Sequence, residues 1–368
     1  MRARNLMRII IFDLGQVPRK GIIVHFLHNK VKNLFVIFII FTTVLLIPAG
    51  LVSCKFKVVD KYEVTREMMG TYITVIVYAD KDTAGEAIEA AFKRIGEIES
   101  IASIYDENSE ASRLNNEGSI ESPSREFREL MDLSVYYYNI SGGSFDITIG
   151  PVLELWKEGL WRETEEVQAK RVEEALKYVG SDKIVIEDTK IYFGIPGMSI
   201  DLGGIAKGYA VDEALKALTG LGIDNALVNA GGDIGTIGIK SDGTGWLVEL
   251  DDPFGDDKGD PGTVEPLPGF IIEGMAVATS GNYYRYYNPE KSVHHITDPL
   301  TGYSADECIS VTIIASNCTE ADVLATSVFV MGPTRGLELI EEIDGVETLI
   351  IDNERKSTTS TGLSKYMK

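Results

Sequence analysis

Ser199-Ile-Asp-Leu-Gly-Gly-Ile-Ala-Lys-Gly-Tyr-Ala-Val-Asp212 packs an acid, a bare-backbone turn and a lysine into one short passage. Ile200 and Leu202 flank Asp201 in strand-like alternation, Gly203-Gly204 interrupts it, and Ala210, Val211, Ala214, Leu215 and Leu218 then recur at helical spacing. The passage reads as strand, glycine turn and helix. Glycines without a Cβ let backbone N–H groups approach a ligand, and the first turn of the helix offers unpaired donors to an anion. Lys207 adds a point charge there, whereas Asp201 suits a cation, a sugar hydroxyl or a base amine. The glycine spacing is neither that of the Walker loop nor that of the Rossmann fingerprint. Taken alone, the passage is better accounted for by a tight strand-to-helix connection carrying a surface lysine, and the neighbouring motifs have to shift that reading.

Working outward, the 368 residues are 44% hydrophobic and 25% charged, which is ordinary for a globular chain. The formal charge of −21 understates the acidity of the body. Residues 1–53 hold seven Lys/Arg and one acid, leaving 28 basic against 55 acidic residues, a net of −27. Such a body has no general attraction for nucleic acid, whose binding rests on neutralising phosphates. An anionic ligand would need a metal or a placed cation.

Lys30 and Lys32 precede the apolar run Leu34 to Cys54. A basic flank, an apolar core and small residues before a boundary describe an export signal, and Pro48 and Gly50 disfavour a membrane span. Leu51-Val-Ser-Cys54 resembles a bacterial lipobox, which makes Cys54 the expected lipidation site and the mature protein an exported one, anchored to a bacterial membrane and facing the periplasm or cell exterior. The expected division is residues 1–53 as extension plus signal, with translation starting near Val31, residues 54–61 as a tether, and residues 62–368 as one catalytic domain. Cys308 and Cys318 flank a strand-like run whose ends lie far apart, so buried free thiols are expected. His294 and His295 are the only histidines beyond the signal, which leaves no His-cluster metal site.

In the body, Tyr62–Tyr78 alternates as two strand segments about Met69-Gly-Thr71, and Asp82 opens a helix with Ala87, Ile88, Ala91, Phe92, Ile95 and Ile98 on one face. A second helix is expected from about Ser124 to Asn139, and Ser141-Gly-Gly-Ser-Phe-Asp-Ile-Thr-Ile-Gly-Pro151 as a glycine loop, an acid and a strand stopped by proline. Glu163–Tyr178 reads as a charged helix. Ala226–Ile234 is a buried strand opening into Gly231-Gly232 and Asp233, and Gly255–Pro268 is an exposed loop. A last helix spans about Thr319 to Met331 and closes at Gly332-Pro333. Strands and helices mix without regular alternation, so the fold class is α+β rather than a doubly wound sheet.

Two constellations bear on chemistry. Asp322 and Thr326 lie one helical turn apart and could offer a carboxylate and a hydroxyl to one cation, for which Mg²⁺ is the fitting ion; Thr319-x-x-Asp322 could equally be a capping box, with Thr326 bonded back to a carbonyl. His295 near Asp298 invites an acid–base reading, and a structural histidine beside a proline turn is its rival.

Taken together, Met69-Gly-Thr71, Ser103-Ile-Tyr105 with Arg113-Leu-Asn115, Gly143-Ser-Phe-Asp146 with Gly150-Pro151, Asp201-Leu-Gly-Gly-Ile-Ala-Lys-Gly208, Asn229-Ala-Gly-Gly-Asp233, Ala278-Thr-Ser-Gly281, His295-Ile-Thr-Asp-Pro299 and Ala321-Asp322 through Thr326 resemble, in order, the signatures of the ApbE-type FAD:protein FMN transferases. Each is weak alone; eight in order across residues 62–332 are specific. The resemblance implies a single mixed α/β domain of the ApbE-like, T-fold-related type. It also implies an enzyme that binds FAD with Mg²⁺, leaves FMN esterified to a threonine of a partner protein and releases AMP, the acceptor being a membrane-associated redox subunit. By match to the motifs, Met69, Tyr105, Ser144, Phe145, Asp146, Asp201, Lys207 and Ile296 would contact FAD. Asp322, Thr326 and the carbonyl of Gly204 would hold Mg²⁺, and His295 oriented by Asp298 would be the general base. Ala325 departs from relatives that carry an acid at that position. A Mg²⁺-dependent FAD pyrophosphatase, or a flavin- or solute-binding lipoprotein without catalysis, are the alternatives.

Overall fold

The structure, a computed structural model, describes residues 59–253, 267–283 and 285–368. The expected signal, the expected lipidation site Cys54, the expected start near Val31, all but the last residues of the tether, and residues 255–266 of the expected loop lie outside the described residues.

Alternation in the first segments produces a hairpin, β1 (Asp60–Met68) and β2 (Thr71–Ala79), paired antiparallel across Met69-Gly70. Ile73, Val75 and Val77 point to one face and are fully buried, while Ile76 and Tyr78 point to the other. Each such burial contributes about 1.5–3 kcal/mol. The helix after it, α1 (Lys81–Ala102), is capped by Asp80 and buries the six residues of its expected apolar face. Two helices follow, α2 (Glu110–Glu117) and α3 (Arg125–Ile140), the latter started by the Ser124 hydroxyl accepting from Phe127 N–H at 3.1 Å.

Two sequence expectations fail here for identifiable reasons. Ile147–Ile149 is a 3₁₀ turn that runs into α4 (Gly150–Lys157), so Pro151 sits in the first turn of a helix, where its missing N–H costs nothing, and does not stop a strand. Residues 199–202 belong to no strand. Instead the Asn115 side chain imitates a neighbouring strand: Ile200 N–H donates to Asn115 Oδ1 at 2.7 Å and Asn115 Nδ2 donates to Ile200 O at 2.9 Å.

Helix α5 (Glu165–Leu176) packs its Val172 and Ala175 with Trp156 of α4 in a small satellite core. The strands β3 (Ser119–Glu121), β4 (Ile184–Ile186) and β5 (Lys190–Phe193) form a separate three-stranded sheet. After the glycine turn comes α6 (Ala206–Gly220), then a tight hairpin of β6 (Ala226–Ala230) and β7 (Asp233–Ile237), whose two turn residues, Gly231 and Gly232, have φ of 67° and 107°. The ribbon of β8 (Trp246–Val248) and β9 (Phe270–Ile272) precedes β10 (Ala276–Gly281) and β11 (Cys308–Ala315). The helical run α7 (Cys318–Glu341) is two helices: the first closes at Gly332, with φ 78° and ψ 171°, as the sequence predicts, and a further helical segment, not expected from sequence, resumes from Pro333. Strands β12 (Glu347–Asp352) and β13 (Ser357–Thr359) finish the chain.

The main sheet has the order β1-β2-β6-β7-β10-β11-β12-β13 and every pairing is antiparallel. Helices α1, α6 and α7 cover one face with the principal core, and the β8–β9 ribbon covers part of the other through Trp246, Phe270 and Ile272. The α+β expectation holds. Cys308 and Cys318 are buried free thiols, as read.

Candidate active site

Turns from both halves of the chain meet over the helix-covered end of the main sheet and enclose a cavity of about 910 Å³. That is near the upper end of small-molecule sites, roughly 300–1,000 Å³. Twelve of the thirteen residues singled out in the body line it: Met69, Tyr105, Ser144, Phe145, Asp146, Asp201, Gly204, Lys207, His295, Ile296, Asp322 and Thr326. Asp298 does not.

Met69 occupies the first turn position of the β1–β2 hairpin with φ 52°, followed by Gly70 at 69°. A left-handed conformation is costly for a methionine, and Glu99 of α1 stabilises it by accepting Met69 N–H at 2.7 Å. The distortion places Met69 on the cavity wall. Tyr105, also on the cavity lining, is 84% exposed.

Asp146 is buried, and its carboxylate is engaged internally. It accepts from Thr148 N–H and Oγ1, at 2.8 and 2.6 Å, and from Ser181 Oγ and N–H, at 2.6 and 3.2 Å. Burial raises its pKa against the pull of these four bonds. Its recorded work is to fasten the 144–149 loop, which in turn presents Ser144 and Phe145.

Asp201 accepts Gly203 N–H at 2.9 Å, tightening the glycine turn, and its second oxygen lies 3.5 Å from Lys157 Nζ at the end of α4. Gly204 is closely packed, since a Cβ there would meet Phe145 at 3.2 Å and Thr326 Oγ1 at 3.4 Å, so a side chain would have to push these neighbours aside.

Lys207 is ion-paired with Asp233, the last residue of the Gly-Gly-Asp turn between β6 and β7. Burial opposes its charge, but Asp233 and Asp322 outweigh that and hold its pKa above the usual lysine range. Asp322 is buried in α7, with Oδ2 accepting Gly208 N–H at 3.0 Å. Burial first and then the Asp233 charge push its pKa up to about 7, against Lys207. A cation beside this carboxylate would relieve both.

The capping-box reading is overturned. The α7 N-cap is Asn317, accepting Glu320 N–H at 2.9 Å, and Asp212 of α6 accepts Cys318 N–H and Thr319 N–H, both at 2.8 Å. Asp322 is therefore free of capping duty. Thr326 Oγ1 lies 3.1 Å from Ser280 Oγ and makes no recorded bond back to its helix. A buried carboxylate, two hydroxyls and the Gly204 backbone make a hard-oxygen donor set that fits Mg²⁺. Among the described residues no cluster of three His, Cys, Asp or Glu could hold a metal. One carboxylate with neutral oxygens suits an ion that keeps waters and takes phosphate oxygens.

His295 and Asp298 are not the pair expected from sequence. Asp298 Oδ1 accepts Leu300 N–H at 2.8 Å and closes the proline turn, because Asp before Pro bonds forward to its own backbone. His295 instead places Nδ1 at 3.3 Å from the carbonyl of Arg285. That carbonyl can only accept, so Nδ1 carries the proton and Nε2 is left as acceptor. Burial, then the Arg285 charge, lowers its pKa to about 4.

Among the polar residues of the wall that were not singled out from sequence as site residues, Asp233, Lys157 and Arg285 bear on the charge of the site. Asp233 lay inside a quoted motif but without a role. Lys157 and Arg285 have no local signal, being brought in by α4 and by the segment after β10.

The ApbE family model matches residues 69–350. A protein of Haemophilus influenzae named FAD:protein FMN transferase is 30% identical over 302 residues, covering 78% of this chain and 85% of the relative. One of the same name from Treponema pallidum is 29% identical over 341 residues, covering 86% and 92%. Among solved structures, the ApbE protein of Thermotoga maritima superimposes with a TM-score of 0.74 at 31% identity, over 84% of this chain and 100% of that one. The flavin transferase ApbE of Vibrio cholerae gives 0.68 at 26%, over 84% and 99%. The chain belongs to the ApbE family.

Proposed function

We propose that this protein is a FAD:protein FMN transferase that uses Mg²⁺ to move FMN from FAD onto a threonine hydroxyl of a partner protein, releasing AMP. The observation that carries the reading is one cavity of dinucleotide size in which a buried oxygen site, Asp322 with Thr326, shares a wall with a neutral histidine. The names of the relatives support the transfer of flavin; the metal, the threonine and the leaving group rest on the chemistry of the residues.

In this scheme the acceptor threonine Oγ attacks the FMN-side phosphorus, a new P–O bond forms, and the bond to the bridging oxygen breaks as AMP departs. His295 Nε2 takes the hydroxyl proton, while the Arg285 carbonyl keeps the ring in the required tautomer. The Asp233 carboxylate fixes Lys207 at the wall, and the Gly203-Gly204 turn lets the diphosphate approach the backbone. Mg²⁺, when bound at Asp322 and Thr326, would supply charge neutralisation for the diphosphate. The acceptor is a membrane-associated redox subunit, and a lipid at Cys54 would hold the enzyme beside it.

Incubation with FAD, Mg²⁺ and a co-expressed acceptor, read by mass spectrometry, tests the reading. FMN ester on an acceptor threonine is expected with the native enzyme and not with Asp322→Ala. Free FMN and AMP without adduct would mean a pyrophosphatase, intact FAD a binding protein, and undiminished turnover in excess chelator would overturn the metal's role.

A further inference from the structure

Three permanent cations line the cavity: Lys157, Lys207 and Arg285. They face seven carboxylates in the same wall, Glu99, Asp146, Asp201, Asp233, Glu249, Asp251 and Asp322. Lys157 is 3.5 Å from Asp201 and Lys207 is paired with Asp233. Neither presents an uncompensated charge to a ligand. Arg285 differs. Among the described residues its guanidinium has no recorded carboxylate partner, and it lies on the same wall as Lys207 and His295.

We propose that Arg285 is the phosphate-contacting residue of the cavity, its guanidinium receiving an oxygen of the dinucleotide's diphosphate while its backbone carbonyl holds His295. A guanidinium presents paired N–H donors that match phosphate oxygens and stays charged at any working pH. The hydrogen bond from His295 Nδ1 to the Arg285 carbonyl, at 3.3 Å, ties the residue that bears the proton acceptor to the residue that would donate to phosphate. One residue thus registers the scissile group against the base. Arg285 is solvent-exposed, so its attraction is screened by salt.

The inference rests on the reading that the cavity takes FAD, and the test separates the two. FAD titrations at low and high salt compare the native chain with Arg285→Gln and Arg285→Lys, with thermal unfolding of each ligand-free protein alongside. Affinity at low salt is expected to fall roughly ten- to hundred-fold in Arg285→Gln, the loss of one charged hydrogen bond. The salt dependence of FAD binding should flatten in that variant and be restored by Arg285→Lys, an effect that a merely structural side chain would not produce. Failure of the native chain to bind FAD would remove the functional reading itself. Native binding with unchanged affinity and salt dependence in Arg285→Gln would overturn only the role of Arg285, as would losses of affinity that track a lowered melting temperature.

Discussion

Gly208 N–H donates to Asp322 Oδ2 at 3.0 Å, so the helix that carries Lys207 and the helix that carries Asp322 and Thr326 meet at the residue with the smallest side chain. A Cβ at position 208 would stand 2.5 Å from the Cys318 carbonyl oxygen and 2.9 Å from Asp322 Cβ. The closeness of α6 and α7 is what brings lysine and carboxylate to one wall. Asp212, a turn further along α6, fixes the same crossing by capping α7.

Gly208→Ala should therefore damage both stability and site. Overpacking of this kind costs about 1–3 kcal/mol. Urea denaturation should show that loss, and FAD processing should fall more than stability predicts, because Asp322 is displaced. Normal stability with normal activity would contradict the contact.

Lys207 and Asp233 form a buried pair at the cavity wall, with side-chain exposures of 19% and 4%. Removing one partner strands the other, at a cost of about 3–5 kcal/mol. Asp233→Asn and Lys207→Met should each destabilise strongly, and the double variant should recover part of the loss. A double-mutant cycle measures this, and additive losses would show that the pair is not coupled.

Asp322→Asn keeps an acceptor for Gly208 N–H but removes a buried charge that stands against Asp233. In chelator its melting temperature should equal or exceed that of the native chain. Added Mg²⁺ should stabilise the native chain and leave the variant unchanged, and FMN transfer should be abolished. Equal Mg²⁺ stabilisation of both would place the ion elsewhere.

His295 titrates near 4 rather than near 6.5, lowered by burial and Arg285. The folded chain resists protonating it, so its contribution to stability is present above about pH 6.5 and is lost as pH falls through 4. The same shift keeps it a neutral proton acceptor in mild acid. With Mg²⁺ saturating, so that Asp322 is held ionised, the acid limb of kcat/KM should thus lie well below pH 6. His295→Ala should retain FAD binding and lose transfer. An acid limb near 6.5 that survives in Asp322→Glu would contradict the shift.

Asp146→Ala should behave as a structural lesion more than a ligand lesion. Its carboxylate holds four hydrogen bonds across the 144–149 loop and Ser181. Unsatisfied buried partners cost about 1–3 kcal/mol each. Thermal unfolding should show a large drop without ligand; unchanged stability with weakened FAD binding would instead make Asp146 a direct contact.

The chain's own residues determined the α+β class, the hairpin about Met69-Gly70, the apolar face of α1 and the free thiols, because these rest on short-range periodicity and on turn residues. They also marked most of the cavity wall, since glycine turns and isolated acids stand out locally. Local pattern misled where a neighbour far along the chain supplied the missing partner. Asn115 stands in for a strand beside Ile200, Asp212 caps the helix that Thr319-x-x-Asp322 seemed to start, and Arg285 takes the place beside His295 that Asp298 was expected to fill. Which carboxylate pairs with which cation is set by the crossing of α6 and α7 and by the hairpin of β6 and β7, distances that no spacing along the chain encodes.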